Sequence, residues 1–171
     1  MVSIERQEIP RESLDYLERK TREIASADDG QQDETAKRAW RNRSDARFRP
    51  IRDALQRMCP GIERCMYCED SAGAHIDHFE PRARNPARTF DWSNYLLACS
   101  VCNSNFKRSA FPVDGSGAPL LIDPTMDDPA EHLTLSPTTG RFESTPDSVK
   151  GVESIQAFGL NRELLQAARQ N

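Results

Sequence analysis

Residues 99–107 read CSVCNSNFK, and they repeat the C-x2-C spacing of the CMYC segment at residues 65–68. A CxxC turn aims two thiolates at one ion, and two such turns complete a closed tetrahedral shell around zinc. Thirty residues separate the two pairs, so we expect a small folded insert that brings them together. Because a shell of four thiolates has no open position, this zinc is expected to stabilise the fold rather than to catalyse.

A mixed ligand set competes with the four cysteines. The four-cysteine set is Cys65, Cys68, Cys99 and Cys102, and the mixed set is Cys65, Cys68, His75 and His78. The mixed set would leave the second CxxC pair without a metal ion, and its His-x2-His spacing is tighter than the usual zinc-finger spacing. We therefore favour the four cysteines. Cys59, the fifth cysteine, is expected to be a buried and inert thiol.

Length and composition narrow the class of protein. The chain has 171 residues, of which 37% are hydrophobic, so a modest core stabilised in part by a metal is expected. No apolar run is long enough to cross a membrane, and the first residues lack the apolar stretch of a signal peptide. Together with cysteine pairs of metal-binding spacing, this predicts a cytoplasmic protein. Phosphate-loop and dinucleotide-binding fingerprints are absent, which argues against an intrinsic ATPase or dehydrogenase.

Charge is distributed unevenly along the chain. The formal net charge is −4, yet residues 37–57 hold eight basic side chains and two acidic ones. Residues 114–154 show the reverse, with eight acidic side chains and two basic ones. A basic face of this kind can attract phosphate, although a solvated arginine-rich helix would have the same composition. Trp40 lies among these arginines, where packing is a better interpretation than stacking on a base.

The arrangement of patterns predicts three regions. Residues 1–60 are expected to form a helical arm, with one helix over 13–27 and another over 34–48. Pro50 is expected to interrupt this second helical segment as it continues. Residues 61–112 hold the candidate chemistry. Residues 113–171 are expected to form a loop-rich extension that packs on the core, contains short strands or a hairpin, and ends in a helix capped near Asn161.

The insert between the cysteine pairs carries a recognisable order of residues. CMYC is followed by IDHFEP, by SNYLLAC and by CSVCNSNFK, over about residues 62–112. This order resembles the HNH nuclease family, which is built on the ββα-metal finger. The resemblance implies an α+β fold, in which a ββα-metal core with a four-cysteine structural zinc is flanked by a helical N-terminal arm and a C-terminal helix.

A weaker resemblance extends further along the chain. The segments CMYCED, IDHFEPR, LIDPTMDDPAEHL and GLNR, in this order, are similar to the HNH nuclease subunit of Septu-type and retron-associated anti-phage systems. In that group the nuclease accompanies an ATPase subunit. An ATPase partner and a role in defence are therefore expected.

The resemblance also implies roles for individual residues. Asp77 and Asn103 match ligands of a catalytic Mg²⁺ or Mn²⁺ ion, and both offer the hard oxygen atoms that such an ion prefers. His78 matches the general base, and Asn94 matches the residue that hydrogen-bonds across the hairpin. Candidate nucleic-acid contacts are Arg82, Arg84, Arg88, Lys107 and Arg108. Any of these residues alone could cap a turn or pack in a core, but their combination favours a nuclease site.

Two histidines fall outside these roles. His75 would share a strand face with Asp77, so it could support the metal or the substrate, or simply be exposed. For His132 we expect a structural hydrogen bond.

The predicted function is a metal-dependent endonuclease that hydrolyses DNA in a defence complex. The alternative from a different class is a zinc-stabilised nucleic-acid-binding or scaffold module with an inactive HNH core. A third hypothesis is a nuclease that stays inactive until a partner engages it.

Overall fold

The computed structural model describes residues 1–28, 30–70 and 72–170. Asp29, Ser71 and Asn171 lie outside the described residues. The helices are α1 (Arg11–Ala25), α2 (Gln32–Arg41), α3 (Asp45–Met58), α4 (Val149–Ala157) and α5 (Glu163–Gln170). The strands are β1 (His75–His78), β2 (Tyr95–Ala98), β3 (Leu133–Ser136) and β4 (Arg141–Ser144). Short 3-10 helices span Pro86–Phe90, Trp92–Asn94 and Pro129–Glu131, and a π-helix spans Val101–Lys107.

A two-stranded hairpin followed by a helix lies at the centre of the molecule. Strands β1 and β2 pair antiparallel, with Asp77 opposite Leu96 and His78 opposite Tyr95. All four residues of β2 are buried, as expected for an aromatic and aliphatic strand that is covered on both faces. The π-helix Val101–Lys107 begins after two intervening residues and completes a ββα unit. The predicted α+β class with a central ββα core is therefore confirmed.

The N-terminal helices pack on this unit. Helices α1 and α2 contact the 3-10 helix Pro86–Phe90, and α3 contacts β2. The residues of α3 that share its buried face include Phe48, Ile51, Leu55 and Met58, which matches the apolar stripe of the sequence. The N-terminal helices thus cover one side of the segment between the two cysteine pairs.

The break between the second and third helices differs from the prediction. Pro50 lies inside α3 and does not interrupt it. The helical segment is interrupted earlier, between the end of α2 at Arg41 and the start of α3 at Asp45. The hydroxyl of Ser44 accepts a hydrogen bond from the backbone N–H of Arg47 and so caps α3. Pro50 removes only the bond to the carbonyl of Ala46, an exposed residue near the helix start, where water can replace the missing donor.

The C-terminal region contains a hairpin and two helices. Strands β3 and β4 pair antiparallel, which agrees with the predicted short strands. Asn161 does not cap α5 as expected. Its side-chain amide instead accepts from the N–H and donates to the C=O of Phe142, at 2.8 Å each. A side-chain amide carries both a donor and an acceptor, so it can satisfy the N–H and the C=O of one strand residue at the same time. The Asn161 amide is therefore not available to cap α5.

Buried apolar side chains form one cluster that extends from the N-terminal helices to α5. Its members come from all three predicted regions, including Leu17, Leu55, Leu96, Ile122 and Leu165. The division at residues 60 and 112 stays a prediction. Among the described residues, no helix has the length and apolarity required to cross a membrane.

Candidate active site and metal centre

The two CxxC turns meet beside β2. The first turn is attached to this strand because the N–H of Met66 donates to the carbonyl of Leu97 at 2.8 Å. The second turn follows directly after β2, and the N–H of Cys102 donates to the sulfur of Cys99 at 3.4 Å. The strand therefore positions both pairs, one beside it and one at its end.

The four sulfurs form a cluster suited to one metal ion. Cys65, Cys68, Cys99 and Cys102 are all buried, and their Sγ atoms lie within 4.8 Å of one another. The Sγ atoms of Cys68 and Cys99 are 3.9 Å apart, and sulfurs at ~2.3 Å from a tetrahedral zinc ion would be about 3.8 Å apart. All five cysteines lie in the described part of the chain, and none forms a disulfide. The donor set therefore fits zinc.

The mixed ligand set is not brought together. His75 is exposed, and the Nε2 atom of His78 lies 2.9 Å from a backbone carbonyl instead. Among the described residues, the four cysteines form the one cluster with metal-ligand geometry. The four-cysteine prediction agrees with this placement.

Arg162 adds positive charge to the cysteine cluster. Its guanidinium donates to the sulfur of Cys68 at 3.4 Å and to that of Cys102 at 3.5 Å. The neighbouring sulfurs raise the pKa of Cys102, because a thiolate there would lie close to other sulfurs in a buried site. A bound cation and the Arg162 guanidinium both oppose that effect.

A cleft of about 300 Å³ lies beside β1. Its walls include Trp40, Asp77, His78, Arg82, Asn103 and Arg108. The hairpin supplies Asp77 and His78, the loop after β1 supplies Arg82, and the π-helix supplies Asn103. Three residues of the predicted catalytic set thus face one space, and two of the predicted phosphate contacts border it.

The ring of His78 is held in a defined tautomer. Its Nε2 atom lies 2.9 Å from the backbone carbonyl oxygen of Thr89. A carbonyl can only accept, so Nε2 carries the hydrogen and Nδ1 keeps its lone pair. Burial lowers the pKa of His78 to about 3, and the hydrogen bond to Thr89 only partly opposes this shift. The imidazole is therefore neutral at pH 7.

Aromatic rings fix the orientation of His78. The ring of Trp40 meets it edge-to-face with centroids 4.4 Å apart, and the ring of Tyr95 does so at 5.3 Å. The Tyr95 hydroxyl also donates to the carbonyl of Thr89 at 2.7 Å. Packing and hydrogen bonding together leave the imidazole little freedom to rotate.

Asp77 is buried and hydrogen-bonded. The hydroxyl of Tyr67 donates to its Oδ2 atom at 2.6 Å, and the ammonium of Lys107 lies 3.0 Å from Oδ2 and 3.3 Å from Oδ1. Burial raises the pKa of Asp77, whereas Lys107 and Tyr67 favour the carboxylate. A backbone hydrogen bond from His78 also favours the carboxylate. The side chain borders the cleft, and carboxylate oxygens are the hard donors that a Mg²⁺-class ion prefers.

Asn94 connects the loops around the cleft. Its Oδ1 atom accepts from the N–H of Glu80 at 2.8 Å, and its Nδ2 atom donates to the carbonyls of Glu80 and Arg88 at 3.0 Å each. Glu80 lies two residues after His78, and Arg88 precedes Thr89. The fully buried Asn94 thus holds both backbone segments that determine the position of the imidazole.

Two of the predicted nucleic-acid contacts lie elsewhere than expected. Lys107 is only 1% exposed, and it also donates to the carbonyl of His78 at 2.7 Å. Arg88 is paired with Glu80 at 3.2 Å and with Asp91 at 2.8 Å. Both cations are occupied by internal partners because each lies next to a partly or fully buried carboxylate, which must be compensated. Neither is free to receive a phosphate.

Arg84 and the two remaining histidines lie outside the set of residues that line the cleft. Arg84 is half-exposed and lies 3.6 Å from Glu80, so its charge is partly compensated. His75 is exposed at the start of β1 and is not among the residues that line the cleft. His132 lies outside the cleft, and its Nδ1 atom is 2.8 Å from the hydroxyl of Ser148, which is the structural contact expected for it.

Three residues that shape the site were missed in the sequence, and for a fourth, Trp40, only the packing role was predicted. Tyr67 and Arg162 have detectable signals, since Tyr67 lies within the first CxxC turn and Arg162 ends the GLNR segment. Trp40 was interpreted as a packing residue, and it does pack, but against the His78 ring. Thr89 contributes a backbone carbonyl, and no sequence pattern marks such a role.

Comparison with known proteins agrees with this geometry. Residues 65–108 match the model of the HNH endonuclease family. The chain is also 29% identical over 148 residues to the Septu protein PtuB of Bacillus mycoides (strain KBAB4), in an alignment that covers 70% of this chain and 49% of that protein. The chain thus spans about half the length of this relative. Residues 65–108 are thus similar to the HNH endonuclease family, in a chain similar to a Septu protein.

Proposed function

We propose that the chain is a metal-dependent endonuclease that hydrolyses phosphodiester bonds of DNA. One observation carries the proposal. His78, a neutral and immobilised histidine whose Nδ1 keeps its lone pair, lines a cleft together with the oxygen donors of Asp77 and Asn103. A binding module has no use for a histidine in this state beside such donors, whereas hydrolysis requires both.

In the proposed mechanism, His78 acts as the general base. Nδ1 takes a proton from a water molecule as the water oxygen attacks the phosphorus atom. The new P–O bond forms while the P–O bond to the leaving sugar oxygen breaks. The carbonyl of Thr89 stabilises the imidazolium that results, because it already accepts the Nε2 hydrogen. Asn94 keeps that carbonyl in place.

Asp77 and Asn103 are the proposed ligands of a Mg²⁺ or Mn²⁺ ion. Such an ion would neutralise charge that develops on the phosphate and the leaving oxygen. Lys107 already compensates the charge of Asp77, so the protein alone offers this ion little net negative charge. Ions of this class commonly complete their shell with substrate phosphates. We therefore expect tight metal binding only when DNA is present.

The four cysteines are proposed to hold a structural zinc ion, which stabilises the ββα unit. The similarity to a protein named for the Septu system supports a role in anti-phage defence, with an ATPase subunit as partner. Buried unbridged thiols support a reducing, cytoplasmic environment.

The test is cleavage of supercoiled plasmid DNA by the full chain with Mg²⁺ or Mn²⁺, alone and with the proposed ATPase partner. We expect cleavage that a chelator of these ions abolishes and that Asp77→Asn or Asn103→Ala strongly reduces. Absence of cleavage under both conditions, in a chain that still binds DNA, would contradict the proposal and favour the scaffold alternative.

A further inference from the structure

A second groove adjoins the candidate active-site cleft. It has a volume of about 240 Å³, and its walls include Arg43, Arg49, Arg52 and Ile76. Ile76 also lines the active-site cleft, so the two concave spaces share a wall at β1. The start of α3 and the loop before it form the opposite side of this groove, which therefore belongs to the helical arm rather than to the HNH domain.

The groove is strongly basic. Its single carboxylate, Asp45, faces three guanidinium groups. Within residues 1–28, 30–70 and 72–170, none of these three arginines forms an ion pair. Arg47, on the same helix, differs because it pairs with Glu12 at 3.2 Å. Uncompensated charge lining a concave surface attracts anions.

Trp40 connects the groove to the general base. The guanidinium of Arg43 lies over its indole ring at 4.3 Å from the centroid and donates to its backbone carbonyl at 2.8 Å. Arg82, which lines the active-site cleft, lies 5.8 Å from the same centroid. Because the indole also packs on His78, one rigid ring system sets the positions of two guanidinium groups and of the base.

We propose that the cleft and the groove form one track for a nucleic-acid strand. The scissile phosphate occupies the cleft beside His78 and Arg82. The phosphates that follow along the strand cross Ile76 and contact Arg43, Arg49 and Arg52. This inference rests on the proposed function, and it assigns the helical arm as the part that binds the substrate backbone.

The track predicts a salt dependence of binding. Each arginine that neutralises a phosphate releases condensed counterions, so the slope of log K against log salt changes by about 1 for each contact. Contacts to the backbone carry no base information, and the effect is therefore expected on duplexes of any sequence.

The test measures binding of a fluorescein-labelled DNA duplex by fluorescence anisotropy between about 50 and 200 mM salt. All proteins carry His78→Gln so that the duplex is not cut. Arg49→Gln is the principal variant, because the Arg49 side chain is exposed and, among the described residues, takes part in no side-chain hydrogen bond or ion pair. The matched control is Arg57→Gln, an exposed arginine of the same helix that borders a different surface with Gln7 and Asp53.

We expect Arg49→Gln to lower the salt slope by about 1, and the triple variant with Arg43→Gln and Arg52→Gln to lower it by about 3. Arg57→Gln should leave the slope unchanged. Equal slopes for Arg49→Gln, the triple variant and Arg57→Gln would overturn the inference, and so would failure of the His78→Gln parent to bind. The proposed function fails separately, if His78→Gln cleaves plasmid DNA as fast as the unaltered chain.

Discussion

His78 and Asp77 are adjacent in the sequence, yet their buried side chains are stabilised in opposite ways. The imidazole is buried as a neutral group, and its single N–H is satisfied by the carbonyl of Thr89. The carboxyl group of Asp77 is buried beside a cation and a hydroxyl donor. Burial is tolerated in the first case because no charge is present, and in the second because the charge is paired.

The first prediction concerns pH and His78. An unfolded histidine binds a proton below about pH 6.5, whereas folding lowers the pKa of His78 to about 3. Above about pH 6.5 this group costs no stability. As the pH falls below that value the unfolded chain takes up a proton, and the free energy of unfolding decreases progressively until the pH approaches about 3. Between about pH 7.5 and 5.5 the free energy of unfolding should fall by on the order of 1 kcal/mol from this group.

Chemical denaturation at these two pH values, with zinc present, checks that prediction. His78→Gln is the comparison, because its amide can still donate to the carbonyl of Thr89 but has no proton to gain. The difference between the two proteins removes effects of pH on the cysteines and other groups. Parallel pH dependence in both proteins would refute the assignment of the shift to His78.

The second prediction concerns the ion pair of Lys107. Lys107→Met leaves the buried carboxylate of Asp77 without its cation, so the free energy of unfolding should fall by about 3 kcal/mol. Adding Asp77→Asn to this variant removes the uncompensated charge and should restore much of the loss. Equilibrium denaturation of the single and double variants measures this coupling. Losses that simply add would mean that Lys107 and Asp77 stabilise the protein independently.

At the scale of elements, the segment before α5 contacts the two CxxC turns. Arg162 contacts two of the four sulfurs, although about sixty residues separate it from Cys102 in the chain. A four-thiolate zinc site carries excess negative charge, and donors that surround such a site commonly tune its affinity. The C-terminal region therefore supports the metal centre as well as covering the core.

The third prediction follows from that contact. Arg162→Gln removes the charge of the guanidinium, so the affinity for zinc should fall by about tenfold. Arg141→Gln is the control, because Arg141 is exposed on β4. Zinc transfer to a chromophoric chelator measures the change without reference to nuclease activity. Identical transfer from both variants would show that Arg162 does not stabilise the metal site.

Sequence and structure agree best where spacing limits the geometry. The motif requires that the two CxxC turns lie together and that the Asp77–His78 doublet pairs with the strand YLLA. The structure shows both arrangements. The break before Ser44 was misplaced, because Pro50 is tolerated near the start of α3. The burial of Lys107 was also missed, since lysine is almost never buried without a partner, and that partner is distant in sequence.

At the scale of the whole molecule, the N-terminal helices and the ββα unit both contribute to the candidate site. Trp40 of α2 packs on His78 of β1, and α3 packs on β2. The His78 imidazole is consequently immobilised by residues outside the matched segment 65–108. A hairpin of two four-residue strands would be marginal alone, so the arm and the metal centre both support it.

The fourth prediction concerns removal of zinc. Extraction of the metal by a strong chelator leaves four buried thiols without the ion that holds the turns together, and structural zinc sites contribute directly to folding. We expect a lower melting temperature and a changed tryptophan fluorescence, because Trp40 packs on the hairpin. Re-addition of zinc should reverse both changes. A melting temperature unaffected by chelation would contradict the structural role of the metal.

The central claim is that His78 is the base of a nuclease, and the most direct test is the rate of DNA cleavage by His78→Gln under the conditions in which the unaltered chain cleaves. A positioned general base contributes roughly 10²–10⁴-fold, so we predict a loss of at least about 100-fold with zinc content and melting temperature retained. Cleavage by His78→Gln at the rate of the unaltered chain would contradict the account.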